Sequence, residues 1–207
     1  MEPLSLAEFA ATFEERHDAD LPPWLAHGAL PLDLLGVRER LEDVLDTVTS
    51  LQRADWLQDG VYVGPNAMPD AYGSVLHCAH TLGVAVPPAI AAGGPGSRQG
   101  IYGTDARSFL YLSTYYLSGT TEAVQRFSIG RSLGHAAARQ VTAQTLYALL
   151  VDQSGLRSIA RRAVGPMLEV FLAPLSLGVR MALSRWHRGA EISVDRAGLL
   201  CCRDLDA

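Results

Sequence analysis

Lysine is missing from this chain: all seventeen basic residues are arginine, set against twenty-two acidic residues for a formal net charge of −5. We read the arginine-only usage as coding bias rather than function. No continuous basic stripe is present, so the electrostatic footprint of a nucleic-acid binder is lacking. Cysteine is equally scarce. Cys78 stands alone and Cys201 and Cys202 are adjacent, which encodes neither a disulfide framework nor a C-x-x-C metal site and leaves a reducing, cytoplasmic compartment as the expectation. Long apolar runs are lacking too. The most apolar stretch, VGPMLEVFLAPLSLGVRMAL from Val164 to Leu183, is broken by Pro166, Glu169, Pro174 and Arg180, far short of the ~20 residues of a membrane span. It predicts a buried or interfacial helix pair. The opening residues MEPLSLAEFAATFEERHDAD are acidic and amphipathic where a signal peptide needs a cationic start and an unbroken apolar core, and they predict a helix of the folded protein.

What is present is enough for a core: about half of the 207 side chains are apolar. Residues 1–65 read as a helical extension. SLAEFAATFEE has apolar residues at helical spacing, LPPW breaks the chain, and Leu34, Leu41, Val44, Leu45 and Val48 mark a second helix. DGVYVGPNAMPD then punctuates the sequence, and residues 66–207 form the main domain. A helix is expected over Ala71–Leu82, with Val75, Leu76, Ala79 and Leu82 on one face. Short extended pieces follow in AVPPAIAA, GIYG and RSFLYLS, joined by a loop GGPGSRQG that lacks both standard phosphate-binding glycine patterns. Beyond them the pattern is helical almost to the end. Thr120 or Thr121 is placed to cap a helix that Glu122 opens, with Val124, Phe127, Leu133, Ala137 and Val141 supplying buried positions. A last helix starts near Pro174. The fold class is therefore α+β, predominantly helical, with a small sheet of short strands.

Chemistry concentrates on two helical stretches. FSIGRSLGHAAARQ places Arg131 and His135 four apart on one face, and WHRGAEISVD does the same for His187, Glu191 and Asp195. His77 and His80 also share a helix, but no carboxylate or cysteine nearby completes a tetrahedral set, so they read as surface histidines.

The run from about Ala71 onward resembles the gluzincin metallopeptidases related to the CAAX prenyl protease and the heat-shock membrane protease, particularly their small soluble bacterial members. The resemblance rests on the element order and on Trp186, Arg188, Ala190, Glu191, Ser193, Asp195, Arg196, Ala197, Gly198, Leu199 and Leu200. It implies a minimal gluzincin-like fold in which Glu191 takes the position of the third zinc ligand and Asp195 supports it. The other helix departs from the pattern. Where the family has L-G-H-E-L-G-H, this chain has Ile129, Gly130, Arg131, Ser132, Leu133, Gly134 and His135. Arginine stays protonated and cannot ligate Zn²⁺, and a serine hydroxyl cannot replace a carboxylate as general base.

The expectation is a catalytically inactive, metallopeptidase-like protein with no cofactor and a vestigial site of Arg131, Ser132, His135, Glu191 and Asp195. In it the Arg131 guanidinium replaces the metal's charge within salt-bridge reach of Glu191 or Asp195, because unpaired buried carboxylates are costly. By the resemblance, a peptide or protein partner adds along an edge strand at Phe109, Leu110, Tyr111, Leu112 and Ser113. Self-association through the N-terminal helices or YLSTYYLS is the other use open to such a protein. The alternative is a zinc metalloendopeptidase with ligands His135, His187 and Glu191. A third option is a nucleophilic hydrolase using Ser132 with His135.

Overall fold

The computed structural model describes residues 38–93, 99–151 and 177–203. The expected N-terminal helix, Leu34 and most of the apolar stretch after Val164 lie outside them. The described chain is α+β. Six helices, α1 (Arg38–Trp56), α2 (Pro69–Leu82), α3 (Thr114–Gly119), α4 (Glu122–Ala137), α5 (Val141–Leu150) and α6 (Leu177–Cys202), surround one sheet of β1 (Gly60–Tyr62), β2 (Ala89–Ala92), β3 (Gly100–Gly103) and β4 (Ser108–Ser113). No described helix is long and apolar enough to cross a membrane.

The strand order is β1-β2-β4-β3. Strand β4 runs parallel to β2, with Ala89 opposite Leu110, and antiparallel to β3, with Ile101 opposite Leu110. It is therefore an inner strand, and the expectation that Phe109–Ser113 forms an edge open to a peptide is corrected. Both faces of β4 are covered as well as both sides. Leu110 and Leu112 join a core with Val75, Cys78 and Ala79 of α2 and Ile129 and Leu133 of α4. Phe109 and Tyr111 turn the other way, where Trp56 of α1 lies 4.0 Å from the Tyr111 ring and 5.9 Å from Phe109. Tyr111 is fully buried and its hydroxyl donates to the Ala92 carbonyl at 3.1 Å.

The described part of the expected extension belongs to this packing. Strand β1 pairs antiparallel with β2, and Leu41, Leu45 and Val48 of α1 bury against Leu146, Leu149 and Leu150 of α5 and Leu183 of α6. Burying side chains of this size contributes about 1.5–3 kcal/mol each.

A tight hairpin positions α5. Thr104 and Arg107 exchange both backbone hydrogen bonds. Gly103, at φ 116°, permits the turn because a Cβ there would fall 2.1 Å from the Arg107 carbonyl oxygen. At the tip, Asp105 accepts a hydrogen bond from the first amide of α5, Val141, at 2.7 Å, while the Asp105 amide donates to Thr142 at 2.9 Å. The start of α5 is thereby tied to the sheet.

Helix α4 begins as expected, with Thr121 accepting from the Val124 amide. It ends sooner. Arg139 adopts φ 52° and Val141 opens α5, so the apolar positions read as one helix belong to two.

Candidate functional site

Two helices build the site, and small residues set their spacing. Gly130 and Gly134 lie one turn apart on α4 and face α6. A Cβ at Gly130 would lie 2.7 Å from the Cβ and Sγ of Cys201, and one at Gly134 would lie 2.9 Å from the Ala197 Cβ. Only glycine allows this approach without displacement, and it brings the side chains that follow, Arg131 and His135, against the middle of α6.

There Arg131 is clamped by two carboxylates. Its Nη2 donates to Oε2 of Glu191. Its Nε lies 2.5 Å from Oδ1 of Asp195, an ion-pair contact in which the N–H is not aimed at the oxygen. The three side chains are partly exposed, at 36% for Arg131, 32% for Glu191 and 50% for Asp195. Arg131 is expected within reach of Glu191 or Asp195, and the fold places it against both.

The other oxygen of Glu191 faces two imidazoles. Nε2 of His135 is 3.9 Å from Oε1, and Nε2 of His187 is 3.7 Å from it. His135 is buried, whereas His187 is held from α5: Tyr147 stacks on its ring at a centroid separation of 3.7 Å, and Nδ1 sits 3.1 Å from Oε1 of Gln144. The other ring nitrogen, Nε2, is turned towards Glu191. Gln144 and Tyr147 were not identifiable from sequence, since their only signal is sharing a helix face at i, i+3.

Ser132 lines the same cleft as these groups but is engaged with its own helix. Its hydroxyl donates to the Ser128 carbonyl one turn back, at 3.0 Å. That bond uses its proton within the helix and gives no support to a nucleophilic role with His135. His77 is no free surface residue either, because its Nε2 meets the Cys201 carbonyl at 3.1 Å and ties α2 to α6.

Arg131, His135, Gln144, Tyr147, His187 and Glu191 line a polar cleft of about 210 Å³. Its far wall is Gln99 and β3, where the Gln99 amide nitrogen donates to Ser128 at 2.8 Å. Strand β3 is the true sheet edge on this side, but it is mostly closed. Alternation from the Thr104–Arg107 pair turns the backbone groups of Ile101 and Gly103 outward. The Gly103 amide goes to Thr145 of α5 at 3.1 Å, and Ile101 is buried. A larger cleft of about 530 Å³ lies elsewhere, between α1, the segment Val84–Pro88 and the hairpin tip; of the expected site residues only Phe109 lines it.

Zn²⁺ needs its ligands within about 2.0–2.2 Å, and the Glu191 carboxylate that would join His135 and His187 is already held by a permanent cation. Among the described residues no group of three or more His, Cys, Asp or Glu side chains is arranged to hold a metal ion. Below the site, Cys78 and Cys201 bury their thiols against each other. The hydrogen bond to Cys201 and, next, burial push the Cys78 thiol well above its ordinary 9.0.

No protein-family model, curated protein or solved structure matches the chain.

Proposed function

We propose that this protein is a non-catalytic counterpart of the gluzincin peptidases, in which an arginine stands in for the metal and the remaining cleft binds a peptide or protein partner. One observation carries the reading: the Arg131 guanidinium lies between Glu191 and Asp195. A metal site emptied of its cation would leave two like charges one turn apart, and a cationic side chain from the facing helix resolves that repulsion. Ser132 at the general-base position, engaged with its own helix, is consistent with loss of water activation. Because β4 is an inner strand and β3 is largely closed by α5, the partner is not held as an added strand at this cleft. It places a polar side chain or chain end in the cleft, against Gln99, Gln144, His187 and the free edge of the Glu191 carboxylate.

A second reading has its own observation. Two imidazole Nε2 atoms approach the same carboxylate oxygen, which favours a zinc peptidase with ligands His135, His187 and Glu191 if Arg131 swings away. Zinc per chain after incubation and desalting separates the two. Near-zero metal in the wild type, Glu191→Ala and His135→Ala supports the arginine-filled site. Stoichiometric zinc that is lost in both variants refutes it, and hydrolysis of an unstructured protein substrate then becomes the assay.

A further inference from the structure

Helix α6 has a second face, adjoining the one that meets Arg131. Along it Met181, Arg185, Arg188, Ile192, Arg196 and Leu199 recur at steps of four, three, four, four and three, and all six are exposed. At 100° per residue they fall within a sector of about 80°, forming a straight ridge about 27 Å long. Met181 is 65% exposed and Ile192 57%, values far from the buried norm for such side chains. The linear sequence shows no basic stripe here because Glu191 and Asp195 interrupt it. Folding takes up the acidic charge beside the ridge: Glu191 and Asp195, the latter half exposed, flank its edge and are both ion-paired to Arg131, while the ridge itself carries three arginines. None of the three arginines pairs with a described acidic residue. The chain as a whole is acidic, so this face is a local reversal of its charge.

We propose that the outer face of α6 is a peripheral docking surface for an anionic lipid bilayer. Charge complementarity calls for an anionic partner, and the shape and apolar content select among them. The ridge is convex and borders neither cleft, so it offers no groove for an acidic peptide. Phosphodiester backbones make no use of exposed Met181, Ile192 and Leu199. A planar surface touches the whole ridge at once, with the apolar side chains entering the headgroup boundary while the arginine heads stay at the phosphates. Attachment of this kind is reversible and weakens as salt rises.

The test is co-sedimentation of the full chain with vesicles of phosphatidylcholine alone or mixed with phosphatidylglycerol. The expected result is partitioning onto the anionic vesicles only, abolished by high salt. Each arginine near such a surface contributes about fivefold, so Arg185→Glu with Arg188→Glu should lower the partition coefficient more than about 25-fold. Ile192→Ser tests the apolar part and should lower binding while circular dichroism stays unchanged. All the sites are exposed, and a milder pair, Arg188→Gln with Arg196→Gln, covers the case in which charge reversal disturbs the helix. The proposal is overturned by equal partitioning onto neutral vesicles, by none at low salt, or by unaltered binding in both arginine pairs. Retention on an acidic protein or polyanion without vesicle binding overturns it as well.

Discussion

Replacing Arg131 with alanine tests whether its charge is structural. At an effective dielectric of 20, two opposite charges about 4 Å apart attract by about 4 kcal/mol before losses. Arg131 and Glu191 are each about one-third exposed and Asp195 is half exposed, so solvent screening and desolvation remove most of that. What survives is about 1–2 kcal/mol for the Glu191 contact and about 0.5–1 kcal/mol for Asp195. Removing the cation also leaves Glu191 and Asp195 repelling one another at i, i+4, a further cost of about 0.3–0.5 kcal/mol. Arg131→Ala should therefore destabilise the fold by about 2–3 kcal/mol. For a chain of this length that is a fall in Tm of roughly 5–10 °C. Urea unfolding of the wild type, Arg131→Ala, Glu191→Ala and the double variant closes a mutant cycle. Its coupling energy should be about 1–2 kcal/mol and should shrink at high salt. A change below about 0.5 kcal/mol on Arg131→Ala, the range of an ordinary surface residue, together with zero coupling to Glu191, would refute the reasoning.

Three other outcomes are expected. Arg131→His with Ser132→Glu places the His and Glu of the gluzincin pattern beside His135 and Glu191, and on the proposed reading should raise zinc retained after desalting from near zero to a single ion per chain; no gain would count against the gluzincin resemblance. Gly130→Ala drives a Cβ to 2.7 Å from Cys201 and 3.1 Å from the Gly198 Cα, so despite better helix propensity it should cost about 1–2 kcal/mol by chemical unfolding. The raised pKa of Cys78 favours the neutral thiol in the folded state. Its contribution is thus fully present below the ordinary value of 9.0 and is lost as pH rises above it, whereas Cys201, which the same hydrogen bond shifts downward, adds stability as pH rises towards that value; Tm should therefore fall only above about pH 9 and fall less steeply in Cys78→Ala.

The parts of this fold that sequence made legible are those set by local periodicity. The helical face of Leu41, Leu45 and Val48 buries as its spacing requires, Thr121 caps α4, and the extended pieces become β2, β3 and β4. The pairing of Arg131 with Glu191 and Asp195 was legible for a different reason. A cation at a position where the resemblance requires a ligand, and two acids at i, i+4 on another helix, can relieve each other only by meeting. The Gln144 and Tyr147 cradle of His187 was not legible, because it depends on where the β3–β4 hairpin anchors α5, which is a long-range contact through Asp105.

Strand order is the instructive failure. The resemblance pointed to Phe109–Ser113 as an edge, yet SFLYLS carries the marks of an inner strand: no charge, no proline and no apolar–polar alternation, as a strand covered on both faces requires. Edge strands are short or interrupted, since a long flat apolar edge invites pairing with other chains. GIYG fits that description, with four residues of which two are glycine, and it is β3 that lies at the edge beside the cleft. The physical signal was in the composition of the two segments and contradicted the analogy. The consequence is functional, because an inner β4 and a β3 closed by Thr145 leave main-chain pairing little room. A partner of the kind proposed would then be recognised in the cleft by side chains, and Glu191, His187, Gln144 and Gln99 are the polar groups that line it.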